Sequence, residues 1–231
     1  MAYDRAGLGS SDRVGRLTLD SQLRDLAALL EVVGPAVLVG HSWGGLLAEL
    51  TTLARPDRVV GLVLVDPYHE EMAAAVPRAL RAASSAMLAG MVLSKVVGLF
   101  PRIAAGMGRS LAERCTPDPG VQTLLVDAYL ASYATLAQVA AIGAENRLGD
   151  SSVREVRAAR VAGTAPDIPM RILTASTGKP PKLQELAREL AERSAATFPR
   201  GKHVVVSESG HYIHKDQPAA VLAAIEAVIE Q

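Results

Sequence analysis

The stretch Ala36-Val-Leu-Val-Gly40-His-Ser42-Trp-Gly44-Gly45 constrains this chain more than any other. Four apolar residues without alternation suit a strand buried on both faces of a parallel sheet. The glycine-bounded serine that follows reads as a nucleophile elbow, a sharp strand-to-helix turn that offers the serine hydroxyl to substrate. Such a turn requires strained backbone angles at Ser42. It also brings strand and helix so close that a Cβ at Gly40 or Gly44 would clash. Gly45-Leu-Leu-Ala-Glu-Leu then opens a helical pattern. The alternative is a packing turn whose serine merely caps that helix.

The rest of the chain alternates in the same manner. Leu23, Leu26, Ala27, Leu30 and Val33 recur at helical spacing, with Thr18 or Asp20 as N-cap and Gly34-Pro35 as a stop. Arg55-Pro56 ends the helix after the elbow, and Val59 to Val65 reads as a second buried strand ending at Asp66-Pro67. Two more strands are expected at 168–174 and 203–207, with a helix over 181–194 between them and a closing helix from Asp216 to Ile229. Strand and helix in steady alternation predict right-handed crossovers and a mostly parallel sheet flanked by helices, an α/β protein. From about Tyr68 to Pro166 no strand pattern occurs. This segment is rich in Ala, Leu, Met and Val, and Gly98, Pro101, Gly106-Met-Gly108, Pro117-Asp-Pro119-Gly120 and Gly149-Asp-Ser should cut it into short helices. The first residues, Met1 to Asp12, look like the end of a strand entering a glycine-punctuated loop.

Composition narrows the partners. Formal charges balance at zero and 49% of the 231 residues are apolar, so bulk electrostatics favours neither nucleic acid nor an acidic membrane surface. The most apolar segment, Ala86 to Ile103, contains Lys95, Pro101 and Arg102, which argues against an integral membrane helix. One cysteine, Cys115, allows no internal disulfide, and no Cys/His spacing resembles a zinc site. A cytoplasmic chain without metal or cofactor, acting on a small molecule, is the expectation.

A serine hydroxyl attacks only when a base takes its proton, and that base needs a third group to hold its ring. His211, behind Gly210 in the loop after the last strand, is the first candidate base, with His214 as its rival. His41 should point away from Ser42 and make a structural hydrogen bond, while His69 and His203 occupy ordinary positions. The carboxylate expected to orient the base is Asp66. The loop after the later strand, Thr174-Ala-Ser-Thr-Gly-Lys-Pro-Pro-Lys182, holds no acid. Glu70 and Glu71 read as a helix start, and Glu208 as an exposed residue.

Taken together, Gly40-His-Ser-Trp-Gly44, Tyr3-Asp-Arg-Ala-Gly-Leu-Gly-Ser-Ser-Asp12 and Gly210-His211 with Asp216-Gln-Pro resemble the α/β-hydrolase superfamily in the order nucleophile, acid, histidine. The resemblance covers nearly the whole chain and implies a hydrolase core at 1–67 and 167–231. Residues 68–166 would be a helical lid that shapes the acyl or alcohol pocket. It implies Ser42 as nucleophile, His211 as base, Asp66 in the acid position used by a minority of members, and the Trp43 N–H as one oxyanion donor. The opening strands of the family, with a His-Gly loop that supplies a second donor, have no counterpart before Tyr3, so the expectation is an N-terminally incomplete hydrolase. Losing one donor costs roughly a hundred- to a thousand-fold in turnover. The elbow strand would then lack one neighbour and invite self-association through an unpaired sheet edge. The implied activity is cleavage of carboxylic esters of small to medium apolar substrates. Peptidase, thioesterase, acyltransferase and carbon–carbon hydrolase chemistry stay open, as does a catalytically impaired binding or remnant protein.

Overall fold

The computed structural model describes residues 1–12, 15–133 and 135–231. It divides into two compact units, 19–75 with 149–231 and 1–18 with 76–148. The first unit carries a four-stranded parallel sheet in the order β1-β2-β3-β4: β1 Ala36–His41, β2 Val59–Val65, β3 Pro169–Ala175 and β4 Arg200–Val206. Its helices are α1 Leu19–Val33, α2 Trp43–Ala54, α3 Glu70–Ala75, α8 Val153–Ala162, α9 Pro181–Thr197, α10 Ile213–Asp216 and α11 Pro218–Ile229.

The two-residue side-chain period of the strands separates two apolar layers. Leu62 and Leu64 of β2 with Met170 and Ile172 of β3 pack against Ala48 of α2 and Ala191 and Ala195 of α9. Val63, Val65, Leu173 and Ala175 face the opposite way, onto Val221, Ala224 and Val228 of α11. Both faces of β2 and β3 are therefore covered, which is why β2 reads as an apolar run; β3 also buries Thr174 and Arg171, whose guanidinium donates to the Met170 carbonyl.

The elbow strand lies at the sheet edge, as the resemblance implied, but is not buried on both faces as its apolar run suggested. Among the described residues β1 pairs with β2 alone, only its Gly40 is buried, and Val39 is 48% exposed. An edge strand has one neighbour, so an apolar run marks burial only where a second strand lies beside it. Smaller corrections follow the same logic. β4 begins at Arg200, three residues before the apolar run, because ladder pairing with β3 extends through Gly201 and Lys202. Residues 1–5 form no strand.

The other unit is helical: α4 Arg78–Val96, α5 Phe100–Cys115, α6 Pro119–Ser132 and the greater part of α7 Leu136–Ser151. Gly98, at φ 73°, separates α4 from α5, and the Asp118 carboxylate caps α6 by accepting from Gly120 N–H at 2.7 Å. Gly106-Met-Gly108 lies inside α5 instead of breaking it. The opening segment belongs to this unit: Arg5 makes a two-pronged salt bridge to Glu145 at 2.6 and 2.7 Å, and Gln138 Nε2 donates to the Gly9 carbonyl. No single described helix is long and apolar enough to cross a membrane.

Candidate active site

Three strand ends carry the residues that the sequence singled out. At the end of β1 the chain turns sharply into α2 at Ser42, whose φ of 52° and ψ of −120° are left-handed and costly for a residue with a Cβ. The turn is held by close packing. A Cβ on Gly40 would come within 2.4 Å of the Gly44 carbonyl oxygen, and one on Gly45 within 2.9 Å of Pro67 Cβ, so Gly45 joins the elbow glycines that the motif named. Backbone hydrogen bonds continue the ladder into the site: Ser42 N–H donates to Val65 O, Tyr68 N–H to Ser42 O, and Asp66 N–H to Leu173 O. The Ser42 side chain makes no capping hydrogen bond to α2, so the capping alternative is not what the serine does. The neighbouring Trp43 N–H is the first of α2, a position with no intrahelical acceptor. Its indole Nε1 donates to the buried Gln22 Oε1 at 2.7 Å, and its ring meets Tyr68 edge to face.

Asp66 follows β2 directly, is 4% exposed, and also adopts positive φ. His211 lies beyond β4, after a turn in which Glu208 is the third residue other than glycine at positive φ among the described residues. His211 Nδ1 donates to Asp66 Oδ2 at 2.6 Å. The Gly210 N–H donates to the Asp216 carboxylate, and Ser176 and Thr177 N–H donate to the Ser209 carbonyl, which fixes the histidine loop against the loop after β3. Every strained residue thus sits at a strand end that carries a candidate site group or leads to one.

Asp66 is held more firmly than sequence reasoning anticipated. Ala175 N–H donates to Oδ1 at 3.1 Å, and Lys179 Nζ lies 2.5 Å from Oδ2, the oxygen that also accepts from His211. Burial alone would raise its pKa. The hydrogen bond from His211 and the Lys179 ammonium outweigh that and hold the carboxyl below its ordinary value, so the group is a carboxylate at neutral pH. No local spacing in the sequence points to Lys179, whose contact with Asp66 spans 113 residues.

His41 turns its ring toward the histidine loop. Its ring centroid lies 4.6 Å from that of His211, tilted, and 4.7 Å from that of His214, edge to face, and its Nε2 lies 2.9 Å from the His211 carbonyl. A carbonyl only accepts, so this nitrogen carries the proton. Burial first, then the charge that His211 can carry, pushes His41 down to about 4, which keeps it neutral through the working range. His214 is lowered as well, by burial and Lys215.

His69, Glu70 and Glu71 have ligand atoms within 4.8 Å of one another, the one such cluster among the described residues. Their carboxylates are already engaged. Arg160 bridges the buried Glu49 and Glu70, and Arg193 pairs with Glu71 at 2.9 Å.

The sequence matches the alpha/beta hydrolase family model over residues 1–224. Lipase LipV of Mycobacterium tuberculosis is 47% identical over 68 residues, 29% of this chain and 26% of that protein. The 1-acylglycerol-3-phosphate O-acyltransferase ABHD5 of Rattus norvegicus is 25% identical over 203 residues, 79% of this chain and 53% of that protein. The chain therefore spans about half or less of the length of these curated relatives. Among solved structures, an esterase from Exiguobacterium antarcticum superposes with a TM-score of 0.62 over 99% of this chain and 80% of that one, at 14% identity, a likeness of fold alone. With a family match across almost its whole length and a parallel sheet flanked by helices, the chain belongs to the alpha/beta hydrolase family.

Proposed function

We propose that this chain is a serine hydrolase that cleaves carboxylic esters of small to medium apolar substrates through an acyl-enzyme. The observation that carries the reading is a histidine bonded at 2.6 Å to a buried carboxylate, together with an uncapped serine in a strained elbow, the serine, acid and histidine following β1, β2 and β4 of one parallel sheet. Ser42 Oγ attacks the ester carbonyl while His211 Nε2 takes its proton. Asp66 holds His211 in the tautomer that leaves Nε2 free to do so and stabilises the imidazolium that results. The Trp43 N–H donates to the oxyanion of the tetrahedral intermediate. His211 then protonates the departing alcohol, and water, activated by the same nitrogen, releases the acid.

Segment 68–166 is proposed as the element that selects the acyl group, the role of a lid. Substitutions at Met87, Met91 or Leu99 should then shift the preferred chain length. The uncovered edge of β1, with Val39 half exposed, supports self-association as a further proposal. A single free cysteine, Cys115, suits the cytoplasm. The test is hydrolysis of p-nitrophenyl esters from acetate to laurate by wild type and Ser42→Ala. Turnover by wild type alone, falling with chain length, supports the reading; equal rates in the two proteins overturn it. Turnover of thioesters or transfer to an alcohol in place of ester hydrolysis would move the activity within the serine group.

A further inference from the structure

The ion pair between Lys179 and Asp66 has no role in the proton transfers just described, yet it occupies the oxygen that orients the base. Lys179 Nζ and His211 Nδ1 lie 2.5 and 2.6 Å from the same Oδ2, on a carboxylate only 4% exposed. Its position is not that of a waving surface lysine. Gly178, at φ 87°, turns the loop; Ser176 and Thr177 are hydrogen-bonded to Ser209 O on the histidine loop; and Pro180 and Pro181 follow at the start of α9. This backbone holds the lysine's Cα in place, and the contact with Asp66 orders the rest of a side chain that is 20% exposed.

Resting on the catalytic reading above, we propose that Lys179 is a positioning residue that keeps the Asp66–His211 pair in its working protonation state to lower pH than the pair alone would allow. Two effects act in the same direction. A cation against a buried carboxylate opposes its protonation, which burial would otherwise favour. The same cation also draws negative charge away from the Nδ1 side of His211, so the imidazolium gains less from Asp66. Because the two groups share one hydrogen bond, the proton that switches the site off belongs to the pair. The other charged or titratable groups around the pair do not supply this effect. His41, beside His211, is neutral above about pH 4, and His214 is likewise lowered. Tyr212 faces the His211 ring at 5.3 Å with Lys215 above it, and Asp216 is bound to the Gly210 N–H.

The test compares wild type, Lys179→Met and Lys179→Arg in two measurements. One is the pH dependence of kcat/KM for a short ester, followed by pH-stat. The other is the titration of the His211 ring by NMR, assigned with His211→Gln, which needs no turnover. In Lys179→Met the acid limb and the ring titration should both move up by about one pH unit, leaving roughly tenfold less activity one unit below the wild-type midpoint. Lys179→Arg should restore the wild-type midpoint. A Lys179→Met protein that loses the same factor of activity at every pH, or whose ring titration stays at the wild-type midpoint, would assign the lysine to loop packing and overturn the proposal. Absence of ester turnover in wild type would count against the hydrolase reading instead, and the ring titration would still decide for or against Lys179.

Discussion

The sheet unit and the helical unit are both rich in apolar residues, but they use them differently. In β3 every position is buried, and in β2 all but Val60. By contrast α6 carries Val121, Leu124, Leu125, Val126 and Leu130 and buries none of them, while Met87, Leu93 and Val96 of α4 are more than 60% exposed. The helices satisfy their backbone groups internally and need no neighbour to do so. A strand must find its partners in other strands. A parallel ladder therefore fixes which residues meet at its ends, and such an overdetermined frame can hold Ser42, Asp66 and Glu208 in left-handed backbone angles. All the candidate chemistry lies on the sheet unit; the helical unit leaves much of its apolar surface exposed.

The largest expected break in this comparison comes from removing the pair at the strand ends. In protein with measurable ester turnover, His211→Ala should lower kcat by up to about a million-fold, and Asp66→Asn, which leaves Nδ1 with the wrong partner, by about ten thousand-fold. Circular dichroism should show the fold unchanged in both. A silent Asp66→Asn would place the acid elsewhere.

Packing at the elbow gives the next effect. Gly40→Ala forces a methyl group within 2.4 Å of a backbone oxygen and should cost about 3 kcal/mol or more in urea unfolding. His41 sharpens the contrast through pH. Its folded pKa, about 4, lies below the ordinary 6.5, so the unfolded chain takes up a proton that the folded one refuses. Stability that is present above pH 6.5 should then be lost as pH falls from 6.5 toward 4, by on the order of 1–2 kcal/mol from this residue. His41→Gln, which can still donate to the His211 carbonyl, should flatten that part of a Tm-against-pH curve. The smallest effect belongs to the helical unit. Gly106 sits inside α5 with open space where a Cβ would be, so Gly106→Ala should stabilise by about 0.5–1 kcal/mol, opposite in sign to Gly40→Ala.

How much of this was legible in the sequence follows the same division. Val59 to Val65 is apolar because both faces of β2 are covered, and Met170, Ile172 and Leu173 still mark β3 although Arg171 and Thr174 interrupt its run. The elbow was legible from Gly40, Ser42 and Gly44 because tight turns admit few residue types. Pattern failed where a neighbour decides. The apolar run of β1 reads as burial on both faces although the strand lies at the sheet edge, a position expected from the resemblance and not from the run itself, and Arg200 to Lys202 join β4 through backbone pairing that side-chain polarity does not report. Gly106-Met-Gly108 looked like a break, yet helical context absorbs isolated glycines at modest cost. Lys179 was invisible for another reason: its role comes from a contact 113 residues away in sequence, which no local spacing encodes.

The central claim is that Ser42 is a nucleophile activated by His211. The most direct measurement is reaction with a fluorophosphonate probe followed by intact-mass and peptide mapping of wild type, Ser42→Ala and His211→Ala. The account predicts one phosphonyl adduct per chain, on Ser42, absent from Ser42→Ala and formed far more slowly in His211→Ala. An unlabelled wild type, or an adduct mapped to any other residue, would contradict it.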